Sequence, residues 1–105
     1  LIKPKNAVGL LFAGSEPDNI YIACKARNIE RELGCRFTVD IYEPEVEEEV
    51  VKCGRTTGCT VGEVQATSMT VRVFYGKGFA VFKDCIVVNA RSAGGDSGSL
   101  VFKQV

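Results

Sequence analysis

The sequence contains no histidine, and that one absence removes the commonest general base and the commonest zinc ligand together. It also lacks an excess of either charge, with thirteen Lys and Arg against thirteen Asp and Glu, which argues against nucleic acid and anionic membrane as partners. No apolar run approaches the ~18 residues of a spanning helix, so no membrane insertion is expected. The opening Leu1-Ile2-Lys3-Pro4 has neither a signal-peptide pattern nor an initiator Met, and the chain is expected to be a processed or engineered piece of something longer. The five cysteines lack Cys-x-x-Cys spacing, so no metal is expected, and nothing in the sequence asks for a cofactor.

What is present is enough for one domain, residues 1–105, with one core: 46% of the chain is apolar and 25% charged, the balance of a globular protein. Asn6-Ala7-Val8-Gly9-Leu10-Leu11-Phe12-Ala13-Gly14 reads as a strand buried on both faces. Glu16-Pro17-Asp18-Asn19 is turn chemistry, and Ile20-Tyr21-Ile22 a brief strand. Ile22, Ala26, Ile29 and Leu33 recur at helical spacing before Gly34, which predicts one short helix at about residues 24–33. The acidic stretch Glu43-Pro44-Glu45-Val46-Glu47-Glu48-Glu49 reads as a solvated connector or edge, with an acidic docking surface as the alternative. From Val50 onward the pattern is β throughout, with strands at 50–53, 59–66, 70–75, 79–82, 85–88 and 99–105 separated by glycine turns. With no strand-helix alternation, the expectation is an all-β, six-stranded antiparallel barrel.

Two segments carry chemistry. Gly94-Gly95-Asp96-Ser97-Gly98-Ser99-Leu100 sets a serine on a glycine turn between β-rich runs. Gly54-Arg55-Thr56-Thr57-Gly58 is flanked symmetrically by Cys53 and Cys59, which would face each other across a hairpin where a disulfide is geometrically possible. Two buried thiols are the other reading, and the odd cysteine count leaves the redox compartment open.

Together, Gly54-Arg55-Thr56-Thr57-Gly58 with Gly62 following, and Ala93-Gly94-Gly95-Asp96-Ser97-Gly98-Ser99-Leu100-Val101, resemble the C-terminal barrel of bacterial chymotrypsin-fold, trypsin-like serine proteases of the α-lytic protease and streptogrisin group. The match covers residues 50–105. The run Val8-Gly9-Leu10-Leu11-Phe12-Ala13-Gly14 and the helix ending at Leu33-Gly34 also resemble elements of that family, where they follow the nucleophile strand instead of preceding the hairpin. The resemblance therefore implies a circularly permuted chymotrypsin-like barrel, cut in the hairpin between Phe102-Lys103-Gln104-Val105 and Leu1-Ile2-Lys3-Pro4-Lys5-Asn6. A natural permutant, a piece spanning two tandem barrels and an engineered chain all satisfy that order. Cutting an exposed hairpin tip removes little buried contact, so the order is physically acceptable.

By the same resemblance Ser97 holds the nucleophile position, the amides of Gly95 and Ser97 would form an oxyanion hole, and Asp96 would support the turn with Arg55 as a cationic partner. Phe12, Ala13 and Gly14 match the strand that pairs with extended substrate, and Arg91 matches the floor of a specificity pocket, where it would favour acidic side chains. The family takes its His and Asp from another barrel. A serine without an adjacent base is a poor nucleophile, so the expectation is a non-catalytic binding or structural module, with an extended peptide or protein as ligand and a homo-oligomer or complementary barrel as partner. The alternatives are half of an active serine endopeptidase whose His and Asp come from elsewhere, and a recombined fragment with no function of its own.

Overall fold

The computed structural model describes residues 5–74 and 76–104; Tyr75 and Val105, both expected in strands, and residues 1–4 at the expected cut lie outside them. Seven elements follow in chain order: β1 (Lys5–Ser15), β2 (Ile20–Lys25), α1 (Ala26–Leu33), β3 (Glu49–Gly54), β4 (Gly58–Phe74), β5 (Phe79–Asn89) and β6 (Leu100–Gln104). The strands form one sheet in the order β1-β2-β5-β4-β3-β6 that closes into a ring, every neighbouring pair antiparallel. Closure is completed where β3 meets β6 at Val51 opposite Phe102 and Lys52 opposite Val101. The mostly β, six-stranded antiparallel architecture expected from the glycine turns and apolar runs is therefore present.

Inside the ring, alternate residues of each strand meet. Val8, Leu11, Tyr21, Ala23, Val50, Val64, Ile86, Val88, Ala90 and Val101 form the buried cluster. On β3 the alternation Val50, Lys52 carries a lysine to the same inner side, fully buried. The Tyr21 hydroxyl is buried with no hydrogen-bond partner among the described residues, and burial pushes its pKa up.

Three boundaries differ from the sequence reading. The helix starts at Ala26 rather than 24, because Cys24 and Lys25 still pair with Cys85 and Gly9 in the sheet. Only Ala26, Ile29 and Leu33 of the apolar series are thus helical, and Gly34 ends the helix in the left-handed region at φ 63°. The strands expected at 59–66 and 70–75 join, as far as Phe74, into one strand, β4, and those at 79–82 and 85–88 into another, β5. The polar interruptions at Ser68 and Asp84 are absorbed by register shifts between Val64 and Val71 and by a positive φ at Asp84, bulges in a continuous ladder. The Ser68 hydroxyl donates to Asp84 Oδ1 across that irregular stretch.

β2 leaves β5 after Cys85, so 69–74 and 79–83 continue alone as a two-stranded ribbon. Phe74, Phe79 and Val81 on it are exposed, the Arg72 guanidinium lies 4.5 Å over the Phe79 ring, and Phe82 meets Phe12 of β1 at 4.6 Å between ring centres.

From α1 the chain returns through residues 38–48. Ile41 bridges Ala7 in parallel, and Tyr42 donates to Glu48. Glu43, Glu45, Glu47 and Glu49 of the acidic stretch lie at the surface, and Glu43 pairs with Arg27 at 2.8 Å.

Candidate functional site

The turn that carries Ser97 is built around the carboxylate before it. Asp96 is fully buried, and its two oxygens collect donors from both sides. Oδ1 accepts from the amides of Thr56 (2.9 Å) and Thr57 (3.2 Å), and Oδ2 from the Thr57 hydroxyl (2.7 Å), the Ala93 amide (3.0 Å) and Lys52 Nζ (3.3 Å). Burial alone would raise this carboxyl, but the Thr57 hydroxyl and the Thr56, Ala93 and Thr57 amides outweigh it and hold it well below the usual carboxylate range. Lys52 also donates to the Thr57 hydroxyl and to Gly58 O at 3.4 Å. One carboxylate thus ties the Gly54-Arg55-Thr56-Thr57-Gly58 hairpin to the serine turn.

Glycine is required at two points of this junction. A Cβ on Gly54 would stand 2.3 Å from Asp96 Oδ1, and one on Gly95 2.2 Å from the Thr56 hydroxyl. Gly95 also sits at φ 100°, where side chains are strained. Thr56 donates in turn to Gly94 O, so the hairpin grips the turn by backbone and side chain alike. The Ser99 hydroxyl and amide both donate to Asp96 O.

Fixed in this way, Ser97 is exposed. Among the described residues its hydroxyl has no hydrogen-bond partner, and the amides of Gly95 and Ser97 donate to no protein acceptor. They are available to an outside oxygen, the property an oxyanion site needs. No imidazole stands in the chain to take the Ser97 proton, and the neighbouring carboxylate is turned inward and fully occupied.

A cleft of about 380 Å³ opens beside Ser97, walled by Ser92, Ala93 and Gly94 on one side and by Leu11, Ala13, Gly14, Ser15, Glu16 and Pro17 on the other. The β1 wall has an unusual edge. Pairing of β1 with β6 ends at Leu10 opposite Leu100, and the contacts from Gly98 N to Leu11 O (2.7 Å) and from Leu11 N to Ser99 O (3.0 Å) close that side. From Ala13 to Ser15 β1 pairs with β2 alone, so its other edge is open. An extended segment could add there by backbone hydrogen bonds.

The sequence-derived residues divide between two places. Ala13, Gly14 and Ser97 line the cleft, with Gly95 and Asp96 in the turn that forms its rim. Phe12 does not line it: the register shift between Leu11 and Ala13 sends Phe12 into a neighbouring apolar groove with Leu10, Cys24, Ile29 and Leu33, which Ser97 also borders. Arg91 is exposed and outside the cleft lining, its carbonyl accepting from the Thr60 hydroxyl at 3.3 Å. The charged residue in the cleft wall is Glu16, so the preference for acidic side chains expected from Arg91 has no basic residue in the lining to support it. Asp96 pairs with Lys52 and not with Arg55. The reason is position: Lys52 points into the ring beneath the turn, while Arg55 is at the exposed hairpin tip. Cys53 and Cys59 lie directly opposite each other on β3 and β4 and are joined by a disulfide.

Sequence reasoning missed Lys52, Thr56, Thr57 and Ser92. Lys52 had a readable signal, a lysine two residues after Val50 at an inward strand position, where a charge is stable only if paired. Among the described residues no group of three or more Cys, Asp and Glu is placed to hold a metal ion. Comparison of the chain with protein-family models, curated proteins and solved structures finds no match.

Proposed function

We propose that this chain is a serine-protease-like ring in permuted order that holds an extended peptide against β1 and does not hydrolyse it alone. The carrying observation is the exposed Ser97 whose own amide and that of Gly95 are unengaged, on a turn locked by Asp96 at the mouth of a cleft whose other wall is an open strand edge. The permuted order is supported by the placement of the first and last strands. β1 and β6 lie side by side antiparallel, with Lys5 opposite Gln104, the arrangement left by opening a hairpin at its tip. The missing base argues for binding over turnover, since an oxyanion site and binding without a base leave only a residual ~10³-fold acceleration over water.

The test is a titration of the ¹⁵N-labelled chain with a tryptic digest of reduced, alkylated casein, followed by amide shifts. Shifts confined to residues 11–17 and 92–98, with the digest unchanged in composition, are expected. Shifts centred elsewhere, or none at millimolar peptide, would count against the reading.

A second reading, in which another chain supplies the imidazole and carboxylate, draws on the apolar groove of Leu10, Phe12, Ile29 and Leu33 beside Ser97. Leu33 there is 73% exposed and lies in one groove with Leu10, Phe12 and Ile29, a contiguous apolar surface of the kind that another chain covers. That reading requires cleavage of the digest to appear when the partner is added and to vanish with Ser97→Ala.

A further inference from the structure

We propose that Cys24 and Cys85 are a second disulfide-forming pair, oxidised by exchange with a small-molecule disulfide such as glutathione disulfide, at the floor of the groove beside Ser97. The two are opposite partners in the antiparallel β2–β5 ladder, the same relation in which Cys53 and Cys59 are already joined across β3 and β4. Opposite residues in such a ladder have Cα atoms about 4.5–5.5 Å apart with side chains on one face, inside the ~4.4–6.8 Å that a disulfide spans. Closure therefore asks for side-chain rotation and no slide of the strands.

Their surroundings give the two thiols different parts in the exchange. Cys24 is half-buried and lines the apolar groove with Leu10, Phe12 and Ser97, so a small disulfide can reach it. Cys85 lies behind it at 2% exposure. Burial raises both thiols, and for Cys85 the neighbouring Cys24 and Asp84 add to the effect against a smaller opposing influence of Lys25, bringing it to about 11.

In the first step the Cys24 thiolate attacks one sulfur of the reagent, forming a mixed disulfide and expelling one glutathione thiolate. The Cys85 thiolate then attacks the Cys24 sulfur, closing the Cys24–Cys85 bond and expelling the second. Two protein thiols and one glutathione disulfide give one protein disulfide and two glutathione thiols, the reagent accepting the two electrons and the two protons. The new bond ties β2 to β5 where the ribbon leaves the ring. Cys35, exposed after α1 and paired with no cysteine in the sheet, takes no part.

The experiment uses the folded chain with Cys35→Ser, a substitution at an exposed position, incubated with glutathione disulfide at about pH 8 until the mass no longer changes, because the two raised thiols react through a small thiolate fraction. Intact mass and maleimide labelling after quenching are the readouts. The expected result is a loss of two hydrogens, a fall from two reactive thiols to none, and a mapped cross-link between the peptides carrying Cys24 and Cys85. Adding Cys85→Ser should stall the reaction as a glutathione adduct on Cys24 that reductant removes. Retention of glutathione on the chain with both cysteines, a covalent dimer, or two thiols still reactive at equilibrium would each overturn the proposal, and all three are read on the chain that keeps both cysteines.

Discussion

Asp96 is the residue on which the candidate site depends, because its carboxylate makes four of the hydrogen bonds that tie the serine turn to β3 and the hairpin after it. Its partner Lys52 is fully buried as well, so removing the carboxylate charge leaves an ammonium in the interior. Breaking a buried pair on one side costs about 3–5 kcal/mol, and Asp96→Asn is expected to lose stability in that range in urea denaturation; a loss below about 1 kcal/mol would show that the pair does not hold the turn. The pH dependence has a definite sign. The folded-state value is held below the unfolded one, so this carboxylate stabilises fully above about pH 4, the unfolded carboxyl range, and the contribution drains away as pH falls toward the folded value. Asp84, lowered to about 2 mainly by hydrogen bonds from Asn28 and Lys25, has the same sign, so the test is the difference between the parent chain and Asp96→Asn. That difference should shrink on acidification below about pH 4. At this scale the serine turn was legible from its glycines, since Gly95 and Gly54 stand where a side chain would collide. The choice of Lys52 over Arg55 was not, because it depends on which residues of β3 face inward at the point where the turn crosses, a tertiary fact absent from local spacing.

Among the elements, β1 and the β4–β5 pair carry most of the consequences. β1 changes partners along its length, from β6 at Lys5–Ala7 through β6 and β2 together at Gly9 and Leu10 to β2 alone from Ala13, and its shift at Leu11 and Ala13 turns Phe12 out of the cleft while leaving Ala13 and Gly14 in it. A continuous apolar run gives no sign of such a shift, since period-two alternation is hidden when both faces are apolar. The same limit split β4 and β5 into shorter strands, where polar residues mark bulges in a ladder as readily as the end of one. Beyond Cys85 the ribbon has open edges and few buried contacts, and local stability should fall with them. Amide exchange at Val71, Val73, Ala80 and Val81 is expected to run at least about a hundredfold faster than at Val50, Val64, Ile86 and Val88, which lie in the buried core. Equal protection along β4 and β5 would mean that the ribbon is anchored by more than Phe12 and Phe82.

For the molecule as a whole, the closed ring makes the chain order secondary to the strand order. Lys5 and Gln104 are opposite partners, so a short glycine-rich linker joining the two ends, with the chain reopened between exposed Cys35 and Arg36, should fold to the same ring. Near-UV circular dichroism matching the parent, with a stability change within about 1–2 kcal/mol from altered loop closure, is the expected outcome; an unfolded or aggregated product would show that the present order is needed for closure. The mostly β ring was legible from glycine turns and apolar runs, while the pairing of the first and last strands was expected only through the resemblance, which placed a hairpin there, since no local pattern specifies it. The central claim is our proposal that the Ser97 turn keeps a nucleophile's setting without the base that would activate it. Its most direct test is reaction of the isolated chain with a fluorophosphonate probe, with Ser97→Ala as reference. The account predicts labelling no faster than that of the Ser97→Ala chain, and rapid stoichiometric labelling confined to Ser97 would contradict it.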